Sequence, residues 1–424
     1  MQRTLKNARS KLAAVAVAGI LLANLSVQGQ MEHARSIADT VMKRYPDQMV
    51  MKRFAQHLLQ DNQIKPGETA EAADSRPPTW SYDIGICLTG FERLYDQTGD
   101  RKYIEYIRHI LDPFIERDGT IKTYVTDEYS SDSIPNGRQL LKLYEVYKDD
   151  KYRRAAQKLR HQIALMPRNR AGGFWHKLKY PSQMWLDGLY MIEPFYARYA
   201  VVFNEQENFN DIIDQFVIME KHSRDSKTGL LYHGWDESKL QRWANPKSGL
   251  SPEFWSRSMG WYMMALVDVL DQVPQNHLRR HELIGILRRL ATAIVKVQDR
   301  DSGVWWQITD KPGKEKNYLE SSATAMFVYG LAKGLRLGYI SKAFAQNVER
   351  GYEGMLKQFV RIDADGTYHY IQTVSGAGLG GEPYRDGTYD YYVSEPKRDD
   401  DLKAIGPFIQ ACIEAELIKR QPRR

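Results

Sequence analysis

A turn signature recurs along this 424-residue chain, and that recurrence limits the possible folds more than any other feature of the sequence. It reads Arg117-Asp118-Gly119, Ala171-Gly172-Gly173-Phe174-Trp175, Asp225 through Gly229 to Tyr232, Asp301-Ser302-Gly303-Val304-Trp305, and Asp363 through Gly366 to Tyr368. Each copy ends one helix-like stretch and leads, through a loop of variable length, into another. The stretches after the loops are rich in small and aromatic residues: Trp80 to Tyr95, Asp132 to Tyr147, Gln183 to Val202, Pro252 to Leu270, Leu319 to Leu337 and Asp401 to Glu416. Those between are more charged and amphipathic: Tyr103 to Ile115, Tyr152 to Met166, Asn208 to His222, His281 to Gln298 and Lys342 to Phe359, with Met31 to Arg44 as a partner before the first.

An apolar helix alternating with one that keeps a solvated face is the pattern of an inner and an outer layer. Six such pairs predict an all-α fold, an (α/α)6 toroid of helical hairpins with the inner-helix N-termini on one rim. An open solenoid would need polar capping repeats, and the last inner stretch is apolar instead. Two β-prone pieces, Tyr368 to Val374 and Tyr389 to Val393, predict a loop hairpin.

With 42% hydrophobic and 27% charged residues, the chain has the apolar material for a sizeable core and is not of a disordered or membrane class. The first thirty residues stand apart. Arg3, Lys6, Arg9 and Lys11 precede the apolar run Leu12 to Leu25, and small or polar residues follow, as in a secretory leader. Residues 1–30 are therefore expected to be a signal peptide, residues 31–424 a single catalytic barrel, and the location periplasmic or secreted. Setting aside those four basic residues lowers the formal net charge from +7 to +3, which suits a small anionic substrate and leaves no nucleic-acid footprint. Cys87 and Cys412 lie in apolar helical patterns and read as buried thiols, although an exported protein could pair them.

Polar residues at the starts of the inner stretches fall on one rim. Asp132 and Asp187 come from neighbouring inner helices, and paired carboxylates are what glycoside cleavage usually requires. Asp132 could equally be an N-cap before Pro135. Asp187 sits in an aromatic stretch where an unpaired carboxylate would be costly to bury, so a polar cavity explains it better. Nearby candidates are His176 and Lys177, Trp185, His233, Trp255, Arg257 and Trp261, which supply flat faces for sugar rings and directional donors for hydroxyls and carboxylates. Each aromatic could instead be core and each histidine an exposed loop residue. Arg257, inside an inner helix, must pair with a carboxylate of substrate or protein. The closely spaced glycines from Gly376 to Gly381 lack a strand-turn-helix unit and predict a loop over the cavity mouth, and no histidine spacing suggests a metal. Asp399-Asp400-Asp401 reads as the acidic start of the last inner helix.

Phe174-Trp175-His176-Lys177, Tyr180 through Trp185-Leu186-Asp187 to Met191, Gly229 to Asp236, Ser251 to Tyr262, Leu319-Glu320-Ser321-Ser322 and Asp390-Tyr391-Tyr392-Val393 resemble the unsaturated rhamnogalacturonyl hydrolases of glycoside hydrolase family 105. The resemblance runs over nearly all of the chain beyond the leader. It implies a six-hairpin barrel that needs no cofactor or metal and acts on an unsaturated galacturonyl unit linked to rhamnose. A proton is delivered to C4, water adds at C5, and the hemiketal opens to release rhamnose and a deoxy-keto uronate. By the same resemblance Asp187 is the general acid and base and Asp132 assists. Tyr82, Trp80, His176, Lys177, Tyr180, Trp185, His233, Trp255, Arg257 and Trp261 would bind substrate. The expected partner is a small anionic unsaturated oligosaccharide, without nucleic acid or membrane, for a monomer or weak homo-oligomer. Two alternatives stay open: an unsaturated glucuronyl hydrolase acting on glycosaminoglycan-type fragments, and an α/α-barrel sugar epimerase or binding protein.

Overall fold

All five recurrent turns place their glycine in the left-handed region, with φ of +81° at Gly119, +96° at Gly172, +77° at Gly229, +78° at Gly303 and +84° at Gly366. Side chains rarely tolerate that conformation, so the repeat is a backbone requirement. The structure is a computed structural model and describes residues 29–47 and 79–420. The expected leader lies outside the described residues except for its last two.

The helices are α1 Gln30–Arg44, α2 Tyr82–Thr98, α3 Arg101–Leu111, α4 Gly137–Tyr147, α5 Asp150–Leu165, α6 Leu186–Val202, α7 Phe209–Ser223, α8 Ser256–Leu270, α9 Arg280–Lys296, α10 Ser321–Arg336, α11 Ala345–Phe359, the short α12 Tyr389–Ser394, and α13 Leu402–Arg420. Helices α2, α4, α6, α8, α10 and α13 pack each against the next, and α13 returns to α2. Outside them lie α3, α5, α7, α9 and α11, each against the inner helix before it in sequence, while α1 covers α13. The fold is an (α/α)6 toroid.

Burial follows the two kinds of sequence. Every residue of α8 is buried. By contrast α3 buries Tyr103, Ile104, Tyr106, Ile107, Ile110 and Leu111 at helical spacing and turns the rest to solvent. Outer helices α3 and α5 begin on ordinary caps, with the carboxylates of Asp100 and Asp149 accepting from Lys102 N and Lys151 N. Inside the ring, near the C-terminal ends of α8 and α10, Asp268 accepts from Arg138 at 2.9 Å and from Lys333 at 2.9 Å. Burial would raise the Asp268 carboxyl, but Lys333 and Arg138 hold it well below the usual range. Cys87 and Cys412 are both buried and free.

Two expectations need correction. The first helix covers the last inner helix more than the first, so the two ends of the described chain close the ring together. The hairpin is not formed between its expected halves. Strand β4, Tyr368–Tyr370, pairs with β3, Val360–Ile362, around the fifth turn, while β5, Thr373–Val374, pairs with β6, Lys397–Arg398. Tyr389 to Val393 is helical, because Thr388 Oγ1 caps the turn from Tyr391 N at 3.3 Å and a turn of helix buries Tyr389 and Tyr392 on one face.

Candidate active site

First-turn residues of four inner helices meet in one cavity of about 590 Å³: Tyr82 and Asp83 of α2, Asp187 of α6, Arg257 of α8 and Lys403 of α13. Asp132, the segment from His176 to Tyr180, Trp185, Trp255, Trp261 and the loop from Ser375 to Arg385 complete its walls.

Asp187 is placed by a strand that runs directly into a helix. Strand β1, Gln183–Trp185, pairs with β2, Gly234–Asp236, in the register Trp185 to Gly234, and Leu186 N donates to His233 O at 3.0 Å. The pairing sets His233 behind Asp187, with Nε2 3.0 Å from Oδ2. The approach is off the line a hydrogen bond needs, and among the described residues neither atom has another partner. Asp187 keeps only 9% of its surface exposed and stands at a helix N-terminus, where the aligned peptide dipoles favour negative charge.

The second carboxylate is held differently. Asp132 lies on a single 3₁₀ turn, Ser131–Ser133, ahead of α4; the N-cap position is Asn136, so Asp132 is not a cap. It is ion-paired with Lys177, and His176 Nε2 stands 3.9 Å away. Burial would raise its carboxyl, but Lys177 and then His176 outweigh that and hold it below the usual range. His176 is tied down by Ser131 Oγ at 3.0 Å from its Nδ1, and burial depresses it to about 3, so it is neutral at ordinary pH. One carboxylate is therefore neutralised by a lysine, while the other faces a histidine.

A stack of three rings forms the wall between them. Trp185 lies 4.2 Å from His176 and 4.8 Å from Tyr180, both nearly parallel. Trp255 forms another flat face, its indole N–H fixed by Gln307 Oε1 at 3.2 Å, with the Arg257 guanidinium 5.8 Å from its ring. Trp261 lies deeper, stacked on Tyr190 at 5.0 Å. Arg257 finds its carboxylate within the protein: Glu320 stands 3.7 Å from Nη2, Nε donates to Ser322 Oγ at 2.8 Å, and Nη2 also reaches Val374 O.

Two expected lining residues do not line the cavity. Trp80 packs edge-on against Phe114 at 5.7 Å and donates its indole N–H to Ser133 O at 2.7 Å, so it buttresses the Asp132 turn. His233 has no exposed surface and stands behind Asp187. Conversely, Asp83 and Lys403 line the cavity without being expected to from the sequence. Lys403 bridges Asp83 at 3.5 Å and Asp401 at 3.0 Å, a meeting of the first and last inner helices that only ring closure creates. In sequence, the one signal was a lysine at the polar start of an otherwise apolar helix. Asp400 also departs from a simple helix start, since it pairs with Arg44 and His369. The glycine-rich loop is packed in place: Leu379 is buried with Tyr180, Trp185 and Trp243, and Arg385 donates to Tyr180 Oη at 2.6 Å.

The arrangement provides an indole-lined slot, cations for an acid sugar, and two carboxylates of different charge environment. Among known proteins, the model of Glycosyl Hydrolase Family 88 matches residues 50–419. A solved glycoside hydrolase from family 105 of C. acetobutylicum ATCC 824 is 43% identical with a TM-score of 0.79, covering 85% of this chain and 99% of that one. A possible member of the GH105 family from Klebsiella pneumoniae is 25% identical with a TM-score of 0.68, over 80% of this chain and 83% of that one. The unsaturated rhamnogalacturonyl hydrolase YesR of Bacillus subtilis is 28% identical over 73% of this chain and 84% of its own length.

Proposed function

We propose, from the premise that this chain belongs to glycosyl hydrolase family 88 and is a glycosidase of the family 105 unsaturated rhamnogalacturonyl hydrolase type, that its substrate is the unsaturated galacturonyl-rhamnose end left when a lyase cuts rhamnogalacturonan. The observation that carries this reading is the unequal carboxylate pair. Among the described residues no lysine or arginine is paired to Asp187, which opens into the cavity, while Asp132 is held ionised by Lys177.

In this reading, Asp187 in its acid form gives a proton to C4 of the enol ether. The double-bond electrons form the new C4–H bond, and positive charge appears at C5 and the ring oxygen. The Asp187 carboxylate that remains stabilises that charge, then takes a proton from the water that attacks C5. The product is a hemiketal. Its ring opening makes the C5 ketone and a hemiacetal at C1, which collapses to the aldehyde, releasing rhamnose and leaving the deoxy-keto uronate; Asp187 is already protonated again. Asp132 orients the water or a sugar hydroxyl, Trp185 and Trp255 offer faces to the rings, and Arg257 supplies positive charge for the uronate. Residues 1–30 as an export leader would put this reaction in the periplasm or outside the cell.

The test is to offer purified protein the unsaturated disaccharide from lyase-digested rhamnogalacturonan and, separately, a chondroitin-type unsaturated disaccharide. Loss of the double-bond absorbance with release of rhamnose from the first is the expected result. Faster turnover of the second would move the substrate to the glycosaminoglycan class. Binding without consumption of either would overturn the hydrolase reading.

A further inference from the structure

His233 has no exposed surface, yet both of its ring nitrogens have a polar neighbour. Nε2 faces Asp187 Oδ2 at 3.0 Å, and Nδ1 lies 2.6 Å from the Tyr392 hydroxyl. Tyr392 arrives from far along the chain, on α12, and its ring is stacked on Trp255 at 5.7 Å. The phenol is fully buried, and burial keeps its proton on well above the ordinary range. Among the described residues His233 Nδ1 is the one hydrogen-bond partner of that hydroxyl. A buried hydroxyl proton without an acceptor is costly, so it points at Nδ1. Nδ1 is then the acceptor, and the imidazole carries its proton on Nε2, toward Asp187.

We infer that Tyr392 is a positioning residue for the hydration reaction: by donating to Nδ1 it locks His233 as the Nε2–H tautomer, whose N–H dipole, 3.0 Å from Asp187 Oδ2 though off the hydrogen-bond line, steadies the charge on Asp187 after that residue has protonated C4. The inference rests on the proposed role of Asp187. The relay does no bond-making of its own, since the proton that reaches C4 leaves Asp187 and the proton that restores it comes from the attacking water. The charged and titratable groups around the relay are His176, which is neutral across the Trp185 stack; Arg257, paired to Glu320; Glu253, paired to Lys311; and Arg385 and Tyr391 beside Tyr392. Removing the Tyr392 hydroxyl frees the ring to carry its proton on Nδ1, which turns a lone pair toward the Asp187 carboxylate. That arrangement disfavours the charge left on the carboxylate after proton transfer.

The experiment uses the full chain labelled with ¹⁵N-histidine, as wild type and as Tyr392→Phe. In wild type the His233 nitrogen shifts are expected to report Nε2–H, and in Tyr392→Phe a shift toward Nδ1–H. In kinetics with the unsaturated disaccharide that the wild type consumes, the high-pH limb of the profile moves up by about one pH unit, and kcat falls roughly tenfold with KM within about twofold. His233→Gln provides an amide donor that needs no tyrosine, so adding Tyr392→Phe to it should leave the profile where His233→Gln alone puts it. A wild-type ring protonated on Nδ1, or an unmoved profile in folded Tyr392→Phe, overturns the inference. Failure to consume any unsaturated disaccharide would overturn the proposed function, while the nitrogen shifts would still decide the tautomer.

Discussion

Arg257 Nη2 stands 3.7 Å from Glu320 Oε1, and neither side chain has more than a trace of solvent exposure. Glu320 also caps α10 by accepting from Ala323 N at 2.7 Å, and it anchors the strand before the glycine-rich loop by accepting from Val374 N at 3.0 Å. One carboxylate thus fixes the guanidinium, a helix start and the root of a cavity wall.

Removing it should therefore be felt as stability and as binding together. Glu320→Ala is expected to cost about 3–5 kcal/mol, the range for leaving one buried charge without its partner. Urea unfolding would measure this. Glu320→Gln, which retains one of the two oxygens that accept from the Ala323 and Val374 amides, should cost less. A Glu320→Ala protein as stable as wild type would mean that Arg257 finds another anion.

Asp187→Asn should retain substrate affinity while kcat falls by roughly three decades or more, the pattern of a group acting mainly in the transition state. Asp132→Asn should lose less, because its partner Lys177 and the Trp185 stack remain. Arg257→Ala should weaken binding of the charged sugar, seen as a raised KM. Full turnover in Asp187→Asn would remove the residue from the mechanism. An unchanged KM in Arg257→Ala would remove the arginine from uronate binding.

Stability should fall on the acid side of neutrality through His176. Burial depresses this group from its usual 6.5 to about 3 in the folded chain, with Asp132 opposing the shift. The unfolded chain takes up a proton below about 6.5 and the folded one does not, so stability is complete above that pH and declines as pH falls toward about 3. The expected slope from this one group approaches about 1.4 kcal/mol per pH unit. Urea unfolding at a series of pH values should show it. His176→Gln should flatten that part of the curve, and an unchanged slope would place the effect elsewhere.

The ring was legible because its signals are local and repeated. A glycine at positive φ is required at each turn, and full-width burial distinguishes α8 from α3 within single windows of sequence. Asp187 was legible for the same reason, as a carboxylate in an aromatic helix. Features created by closure over long distances were not. Lys403 meets Asp83 only because α13 returns to α2, and Tyr392 meets His233 only because α12 folds over the rim. Tyr389 to Val393 looked like a strand because aromatic residues favour strands, whereas the cap at Thr388 and the burial of Tyr389 and Tyr392 made it a helix. Trp80 looked like a sugar platform because nothing in its neighbours reveals that its N–H goes to Ser133 O.

The seam where the ring closes can be tested with two glycines that should respond in opposite directions. A Cβ on Gly406 of α13 would come within 2.0 Å of Ile86 O and 3.1 Å of Cys87 Cα, all backbone of α2, so the first and last inner helices would have to separate. Overpacking of this kind costs about 1–3 kcal/mol where side chains can move, and backbone against backbone leaves little room, so Gly406→Ala should fall at or above the upper figure. On outer helix α9, a Cβ on Gly285 would meet only the end of the Arg289 side chain at 3.4 Å. There the gain in helix propensity should dominate, and Gly285→Ala should stabilise the protein by about 0.5–1 kcal/mol. Urea midpoints of the two variants measure both. A neutral Gly406→Ala would mean that α2 and α13 do not approach as closely as ring closure demands.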